Sequence, residues 1–329
     1  MRNLTQLNSW ISLVLALFTM GLIVACQDSS STVSDRSFPE NCQPVEHIAG
    51  KTCIPKQYER VVTLDSATFE YAIASGLTPI GTVSSDYNRY LGDRLTQTEL
   101  VGQDSEPNLE RILTLQPDLI VGVDFHQNIY PQLSKIAPTF LLRFESSGEW
   151  KEIFQHFGEA LGRDVPVQQV MAAYRDRVAS LQKEMEVLPS IPQVSVIRIY
   201  PDTINLYLKD SFCGTILQDV GLARPPSQNI NAAEASKQFG NPIQVSIGRE
   251  MLTQADGDVI FIWAGENTAE ANQQAQKKLQ ELQQDPLWQK LKAVRNNRVY
   301  QVPSYWIGSG PIAANFVIDD LFKHLLGDS

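Results

Sequence analysis

A long amphipathic segment at mid-chain, with the same strand-and-helix texture on both sides, leaves few folds open to these 329 residues. Asp164 can cap it, Pro166 fits its first turn and Pro189 comes after its end. Between them Val167, Val170, Met171, Tyr174, Val178, Leu181 and Met185 recur at intervals of three and four, which places them on one helical stripe. About 22 residues at ~1.5 Å each make a rod of ~33 Å, one domain's width. Before it, Val61–Leu64, Pro79–Val83, Leu119–Val123 and Thr139–Leu142 read as strands, and Thr68–Ser75 as a helix ended by Gly76. After it, Val194–Ile199, Asn205–Leu208, Val259–Trp263 and Val299–Val302 repeat the style. Continuous apolar strands separated by helices indicate parallel sheets covered on both faces. The predicted fold is therefore α/β: two lobes, each a mostly parallel sheet covered by helices, joined by one long α-helix. The boundaries are 56–164 for the N-terminal lobe, 165–188 for the linker helix and 189–329 for the C-terminal lobe.

One unit occurs on each side of the linker. Asn108-Leu109-Glu110-Arg111-Ile112-Leu113 runs on to Pro117-Asp118-Leu119-Ile120-Val121, and Gly248-Arg249-Glu250-Met251-Leu252 runs on to Gly257-Asp258-Val259-Ile260-Phe261. In both, a Glu precedes an Asp by eight residues, and a Pro or Gly turn separates a short helix from a buried strand. This is what two similarly built lobes would leave in a sequence. An acid at a helix start is worth ~0.3–1 kcal/mol through the helix dipole alone. Its recurrence at equivalent positions of two lobes points beyond that to use.

The first 25 residues are of another kind. After Arg2, the run Ile11–Ala25 is almost wholly apolar but is 15 residues long, short of the ~20 that a membrane span needs, and it fits an export signal. It ends in Ile23-Val24-Ala25-Cys26, which resembles the lipobox of bacterial lipoproteins, where the thiol of the Cys takes a diacylglyceryl group. Cleavage before Cys26 removes one Arg and no acid, and takes the net charge from −10 to −11. Residues 26–55 are then the lipidated Cys, a Ser-rich tether and a segment flanked by Cys42 and Cys53, which an exported protein can oxidise to a disulfide. Cys213 reads as a small buried apolar residue. The acidic balance and the lack of any Lys/Arg run exclude nucleic acid as a partner.

Together these features resemble the periplasmic binding proteins for iron-siderophores, a class that includes the cobalamin-binding protein. The resemblance lies in the lipobox, the Cys42–Cys53 segment, Arg60-Val61-Val62-Thr63-Leu64-Asp65, Pro107-Asn108-Leu109-Glu110-Arg111-Ile112 with Pro117-Asp118-Leu119-Ile120, and Ser211-Phe212-Cys213-Gly214 through Val220-Gly221-Leu222 with Pro225. It runs from about Cys42 to the C-terminus. It implies a ligand held between the lobes and no enzymatic activity. It also implies delivery to an ABC permease dimer served by a separate cytoplasmic ATPase, from a monomer anchored by lipid on the extracytoplasmic side. The family's two docking glutamates, which meet permease arginines, carry over to Glu110 and Glu250, a contact that guides register more than affinity.

The expected cargo is a ferric siderophore, a small-molecule iron chelate, with no resident cofactor and no metal held by the protein itself. Parallel sheets bind ligands at the carboxyl ends of their strands, where Asp86, Tyr87, Phe125, His126, Tyr207 and Tyr305 stand. The residues chosen there for contact with an anionic, partly flat chelate are Arg143, Arg198, Trp263 and Trp306, with Arg89 and Tyr200 behind them.

The alternatives are haem or cobalamin in the same cleft, or an extracytoplasmic enzyme that processes siderophores. For haem, His126 or Tyr87 is the available axial ligand. The four His are scattered without ligand spacing to Cys or carboxylates, which disfavours direct capture of zinc or manganese. The enzyme reading lacks a nucleophile–base set. Gly50-Lys51-Thr52 has Val45 where a phosphate loop needs its first Gly, and Gly308-Ser309-Gly310 lacks the nucleophile-elbow pattern.

Overall fold

The computed structural model describes residues 41–104 and 106–327. The expected export signal, Cys26 and the Ser-rich stretch lie outside the described residues.

The described chain begins with an antiparallel ribbon, β1 (Cys42–His47) and β2 (Gly50–Pro55). Cys42 and Cys53, with Cα atoms 5.5 Å apart, are bonded across it. The N-terminal lobe follows as β3 (Val61–Thr63), β4 (Gly81–Ser84), β5 (Glu99–Gln103), β6 (Glu106–Pro107), β7 (Leu119–Val123) and β8 (Thr139–Leu142), in the order β6-β5-β4-β3-β7-β8. All neighbours are parallel except the short β6. Asp65, two residues after β3, caps helix Ser66–Ala74, accepting from the Thr68 N–H at 2.8 Å. The ribbon docks on the outer strand of this sheet: the Thr52 hydroxyl donates to the Thr139 carbonyl at 2.8 Å, and Val45 and Ile54 are buried. The structure thus attaches residues 42–55 to the N-terminal lobe, whereas the sequence reading grouped them with the tether.

The linker helix spans Asp164–Met185 and ends three residues before the expected 188. Asp164 is its first helical residue and not its cap, so it acts through the dipole of the first turn. Gly162, in the left-handed region at φ 63°, turns the chain out of helix Trp150–Leu161. Arg163 at the cap position donates to the Ser75 carbonyl of the N-terminal lobe. Val167, Met171, Tyr174, Val178 and Leu181 are buried, while Val170 and Met185 pack from the flank.

The C-terminal lobe contains β9 (Val194–Ile199), β10 (Ile204–Tyr207), β11 (Gln244–Ile247), β12 (Val259–Ala264) and β13 (Val299–Gln301), in the order β11-β10-β9-β12-β13. Here β9, β12 and β13 are parallel, but β10 is antiparallel to both neighbours. A "mostly parallel" sheet therefore describes the first lobe better than the second. The reason is local: β9 and β10 are joined by a turn that the Tyr200 N–H closes on the Thr203 carbonyl at 2.9 Å, and so short a link cannot cross over a sheet.

The predicted repeat has a physical basis. Asp118 accepts from the Glu59 and Arg60 amides at 3.0 and 2.9 Å, just before β3, and Asp258 accepts from the Gln193 amide at 2.8 Å, just before β9. Each acid ties the strand that follows it, β7 or β12, to the first strand of its lobe. Backbone hydrogen bonds hold both carboxyls below their ordinary pKa. The second helix of the repeat, Arg249–Ala255, is 3-10 and not α.

One apolar cluster runs through both lobes and the linker. It joins Phe154 and Phe157, Tyr174 and Leu181 of the linker, Phe212 and Leu217 of the second lobe, and Val317 and Leu321 of the closing helix Pro311–Leu321. Burial of such side chains contributes ~1.5–3 kcal/mol apiece. Cys213 is wholly buried in the same cluster, as a free thiol.

Candidate functional site

The carboxyl ends of β4, β9, β12 and β13 meet where the lobes face each other. Ser85, Asp86 and Tyr87 follow β4, Arg198 and Tyr200 stand at the end of β9, Trp263 lies near the end of β12, and Ser304 and Tyr305 come shortly after β13. An open cavity of about 600 Å³ lies there, lined by Asp86, Arg89 and Tyr90 from the first lobe and by Trp263, Asn272 and Tyr305 from the second. That volume suits a small molecule.

Arg198 is the main charge of this region. It is 6% exposed, and its guanidinium carbon lies 4.0 Å from the Tyr200 ring centre, 4.4 Å from Trp263 and 5.5 Å from Tyr87. A buried guanidinium demands partners. Nη1 donates to the Tyr207 hydroxyl at 3.1 Å, and Nη2 donates to the Tyr87 hydroxyl at 3.1 Å, the Gly265 carbonyl at 3.3 Å and Glu266 Oε1 at 3.0 Å. Nε is buried and has no hydrogen-bond partner among the described residues. The Tyr87 hydroxyl in turn donates to Glu266 Oε2 at 2.8 Å, and burial raises the Tyr87 pKa, which keeps that proton in place.

These contacts cross between lobes, and others flank them. Asn267 Oδ1 accepts from the Ser85 hydroxyl at 2.8 Å and the Asp86 amide at 3.1 Å, Asn272 donates to the Asp86 carboxylate, and the Ser304 hydroxyl donates to the Tyr87 carbonyl at 3.2 Å. Segment 85–87 is therefore latched to segment 265–272 by polar bonds.

Of the residues expected to contact ligand, Arg198, Trp263 and Tyr200 come together, but of these three Trp263 alone lines the cavity and the other two lie behind it, with the Tyr200 hydroxyl also donating to Gln244 at 3.3 Å. Arg89 lines the cavity with an exposed side chain paired to Asp86. Arg143 directly follows β8 but does not line the cavity, and its exposed head pairs with Glu145. Trp306 is a correction. It is fully buried, stacked on Phe261 at 4.2 Å between ring centres, with Nε1 donating to Asp320 at 2.7 Å. The 3-10 turn Ser304–Ile307 turns Tyr305 toward the cavity and Trp306 into the core.

Glu266, Asn267 and Asn272 were missed by sequence reasoning. For Glu266 and Asn267 the cue was available, since polar residues just beyond the end of β12 are what the strand-end rule selects; Asn272 lies within the next helix, Ala269–Gln283. His126 is buried beneath the exposed Phe125 and does not line the cavity, which removes it as an axial ligand there. Burial lowers its pKa, and beside it burial raises Asp65 and Asp104 to about 6. Among the described residues no group of three or more His, Cys, Asp and Glu could hold a metal ion.

Glu110 is exposed in the first turn after Asn108, whose side chain accepts from the Arg111 amide at 3.0 Å. Glu250 is exposed in the first turn after Gly248. The topology relates them to the cleft. Asn108 donates to the Val101 carbonyl of β5, which runs parallel to β4. Ile247, the end of β11, lies level with Ile204 and, through it, with Ile199 at the end of β9. Glu250 thus follows a sheet end that faces the ligand cavity, whereas the chain leading to Glu110 has turned back from that end along β5.

Comparison with known proteins agrees with this architecture. The chain is 31% identical to the probable siderophore-binding lipoprotein YfiY of Bacillus subtilis, over 95% of this chain and 97% of that one. It is also 31% identical to the achromobactin-binding periplasmic protein of Dickeya dadantii, over 80% and 86% of the two chains. Among solved structures it resembles Staphylococcus aureus SirA complexed with staphyloferrin B, with a TM-score of 0.73, 29% identity, and coverage of 86% of this chain and 98% of that one. Residues 61–306 match the family model described as periplasmic binding protein, and the chain belongs to that family.

Proposed function

We propose that this protein captures a ferric siderophore in the cleft between its lobes and delivers it to an ABC permease. The observation that carries the reading is the buried Arg198, enclosed by three aromatic rings of which one, Trp263, also lines the cross-lobe cavity. A guanidinium recognises the carboxylate or chelating oxygens of an anionic iron complex, and the rings pack against its body. Arg198, Trp263, Tyr200 and Arg89 are the contact residues of this reading, with Arg143 reserved for a cargo that extends past the cavity. The relatives named for siderophores support the cargo class.

Glu110 and Glu250 dock the loaded monomer on the permease dimer, whose separate cytoplasmic ATPase drives uptake. Cys26 carries the lipid that holds the protein on the extracytoplasmic side, behind a cleaved signal of residues 1–25. Cargo leaves chemically unchanged, so no residue is catalytic. The test is a titration of the purified protein by tryptophan fluorescence, read through Trp263, with ferric siderophores, their iron-free forms, haem and cobalamin. Saturable quenching by a ferric chelate at sub-micromolar concentration is expected. A response to haem or cobalamin alone moves the function to that ligand.

A further inference from the structure

We infer that Glu266 is an internal substitute for the ligand's carboxylate, and that cargo enters by exchanging with it on Arg198. The inference rests on the carrier reading above and deepens it, because it fixes the chemical class of cargo: chelates with a free or iron-bound carboxylate displace Glu266, and uncharged chelates do not.

Among the described residues Glu266 provides the one carboxylate on this buried guanidinium. Its side chain is itself 28% exposed, so it can swing to water, while Arg198, at 7%, cannot. Its hold is incomplete. A carboxylate binds arginine best with two parallel bonds along one edge of the fork. Glu266 Oε1 takes Nη2 alone, at 3.0 Å, and Nε, on the same edge, is left without a hydrogen-bond partner among the described residues. Its other oxygen is spent on the Tyr87 hydroxyl and the Asn267 amide, at 2.8 and 3.0 Å. An arriving carboxylate that takes Nε and Nη2 together gains the bond Glu266 cannot make. Arg198 then never loses its counter-charge, whose absence would leave a buried cation unpaired.

The exchange also opens the latch, because the same carboxylate that leaves Arg198 is the one that holds Tyr87 of the opposite lobe. A neutral ligand offers Arg198 no replacement charge and has to bind with the Arg198–Glu266 pair left in place, without drawing on the guanidinium. Charge in the cleft thereby becomes a filter on cargo.

The test compares wild type with Glu266→Gln and Glu266→Ala, titrated with ferric citrate and with ferrichrome, an uncharged trihydroxamate. Both variants leave Arg198 without its counter-charge, so each is titrated well below its own thermal midpoint, and Gln keeps the shape if Ala unsettles the loop. Removing the competitor should tighten ferric citrate about tenfold or more, the value of one charge-assisted hydrogen bond, and move ferrichrome by less than about threefold. Ferric citrate binding that is weakened or unchanged in both variants overturns the exchange, and so does an equal gain for both chelates. Wild type that binds ferric citrate in those cases leaves the carrier reading standing. Wild type and variants that bind no ferric chelate overturn that reading, and the inference with it.

Discussion

Glu70 shows how an acid of the first lobe sets the position of the helix Pro311–Leu321. It is fully buried, and Oε1 accepts from the amides of Ile312 and Ala313 at 2.7 and 2.8 Å, while Oε2 accepts from the Tyr90 hydroxyl. The closing helix has no side-chain cap of its own: Gly310 stands at the cap and Pro311 at the first position. A Cβ on residue 310 would lie 2.5 Å from the Glu70 carboxyl carbon, so glycine is what lets the acid approach. Replacing Glu70 by Ala leaves two amides and one phenol buried without their acceptor. At ~1–3 kcal/mol for each orphaned donor, and with some relief from water entering the space, the loss should be ~3–5 kcal/mol.

Glu70→Gln is expected to behave differently. It keeps the Oε1 acceptor, and the phenol can turn to accept from the new amide. Burial raises the Glu70 pKa above its ordinary value, ahead of the hydrogen bonds that lower it. A carboxyl whose folded pKa is raised is stabilising while protonated, and that contribution is lost as pH rises through the interval up to the folded pKa. Gln has no proton to lose. Relative to wild type it should therefore improve from pH 4.5 to pH 8 and lie within about 1 kcal/mol of it at the higher pH. Urea unfolding of the three proteins at both pH values gives the numbers. A loss under about 1 kcal/mol for Ala, or Gln as damaging as Ala, would refute the assignment of Glu70 as the cap of the closing helix.

Other perturbations follow from the same geometry. Asp104, whose Oδ1 is buried without a partner among the described residues, is raised from 3.8 to about 6 by burial and then by Asp65. Its folded form holds the proton more tightly, so stability falls as pH climbs from about 4 to about 6, and Asp104→Asn should stabilise by ~1–2 kcal/mol at pH 7.5 and by little near pH 4, read from urea midpoints. Arg198→Met keeps the stem and removes the guanidinium, and it should weaken an anionic ferric chelate at least ~100-fold in a fluorescence titration, with Arg143→Ala within about threefold of wild type. The double change Glu110→Ala with Glu250→Ala should leave chelate affinity intact and abolish uptake by cells; normal uptake would sink the docking role.

What the sequence revealed followed from short-range regularities. The linker stripe was legible because Val167 to Leu181 keep helical spacing, and the strands because their apolar runs are unbroken. The paired Glu and Asp were legible as a pattern, and the structure adds why the Asp half recurs: Asp118 and Asp258 each bind the backbone just ahead of their lobe's first strand. The Arg198, Trp263 and Tyr200 cluster followed from one topological rule about strand ends. Trp306 defeated that rule because a 3-10 turn reverses the chain within two residues of β13, which residue type does not announce. The strand-end rule reaches Glu266 as a position, but its pairing with Arg198 and Tyr87, and that of Asn272 with Asp86, span about 70 to 190 positions, and nothing local encodes such pairings.

The same contrast between local and distant contacts decides how the cleft must open. A wide hinge would have to break the apolar cluster that runs from Phe154 through Tyr174 to Phe212 and Val317, where each side chain represents ~1.5–3 kcal/mol of burial. It would also pull the closing helix off Glu70. The bonds that join segment 85–87 to segment 265–272 are of another kind, polar pairs that water can replace at a net ~0.5–1.5 kcal/mol each. Of the two ways to admit a ligand, rupture of the latch is cheaper than rotation of the lobes. Entry and release should therefore be local events at the cleft mouth, with the linker helix nearly still. Hydrogen exchange on the protein with and without a bound ferric chelate separates the two: protection should change at residues 85–91 and 265–272, and a comparable change along Asp164–Met185 would show instead that the whole interface between lobes moves.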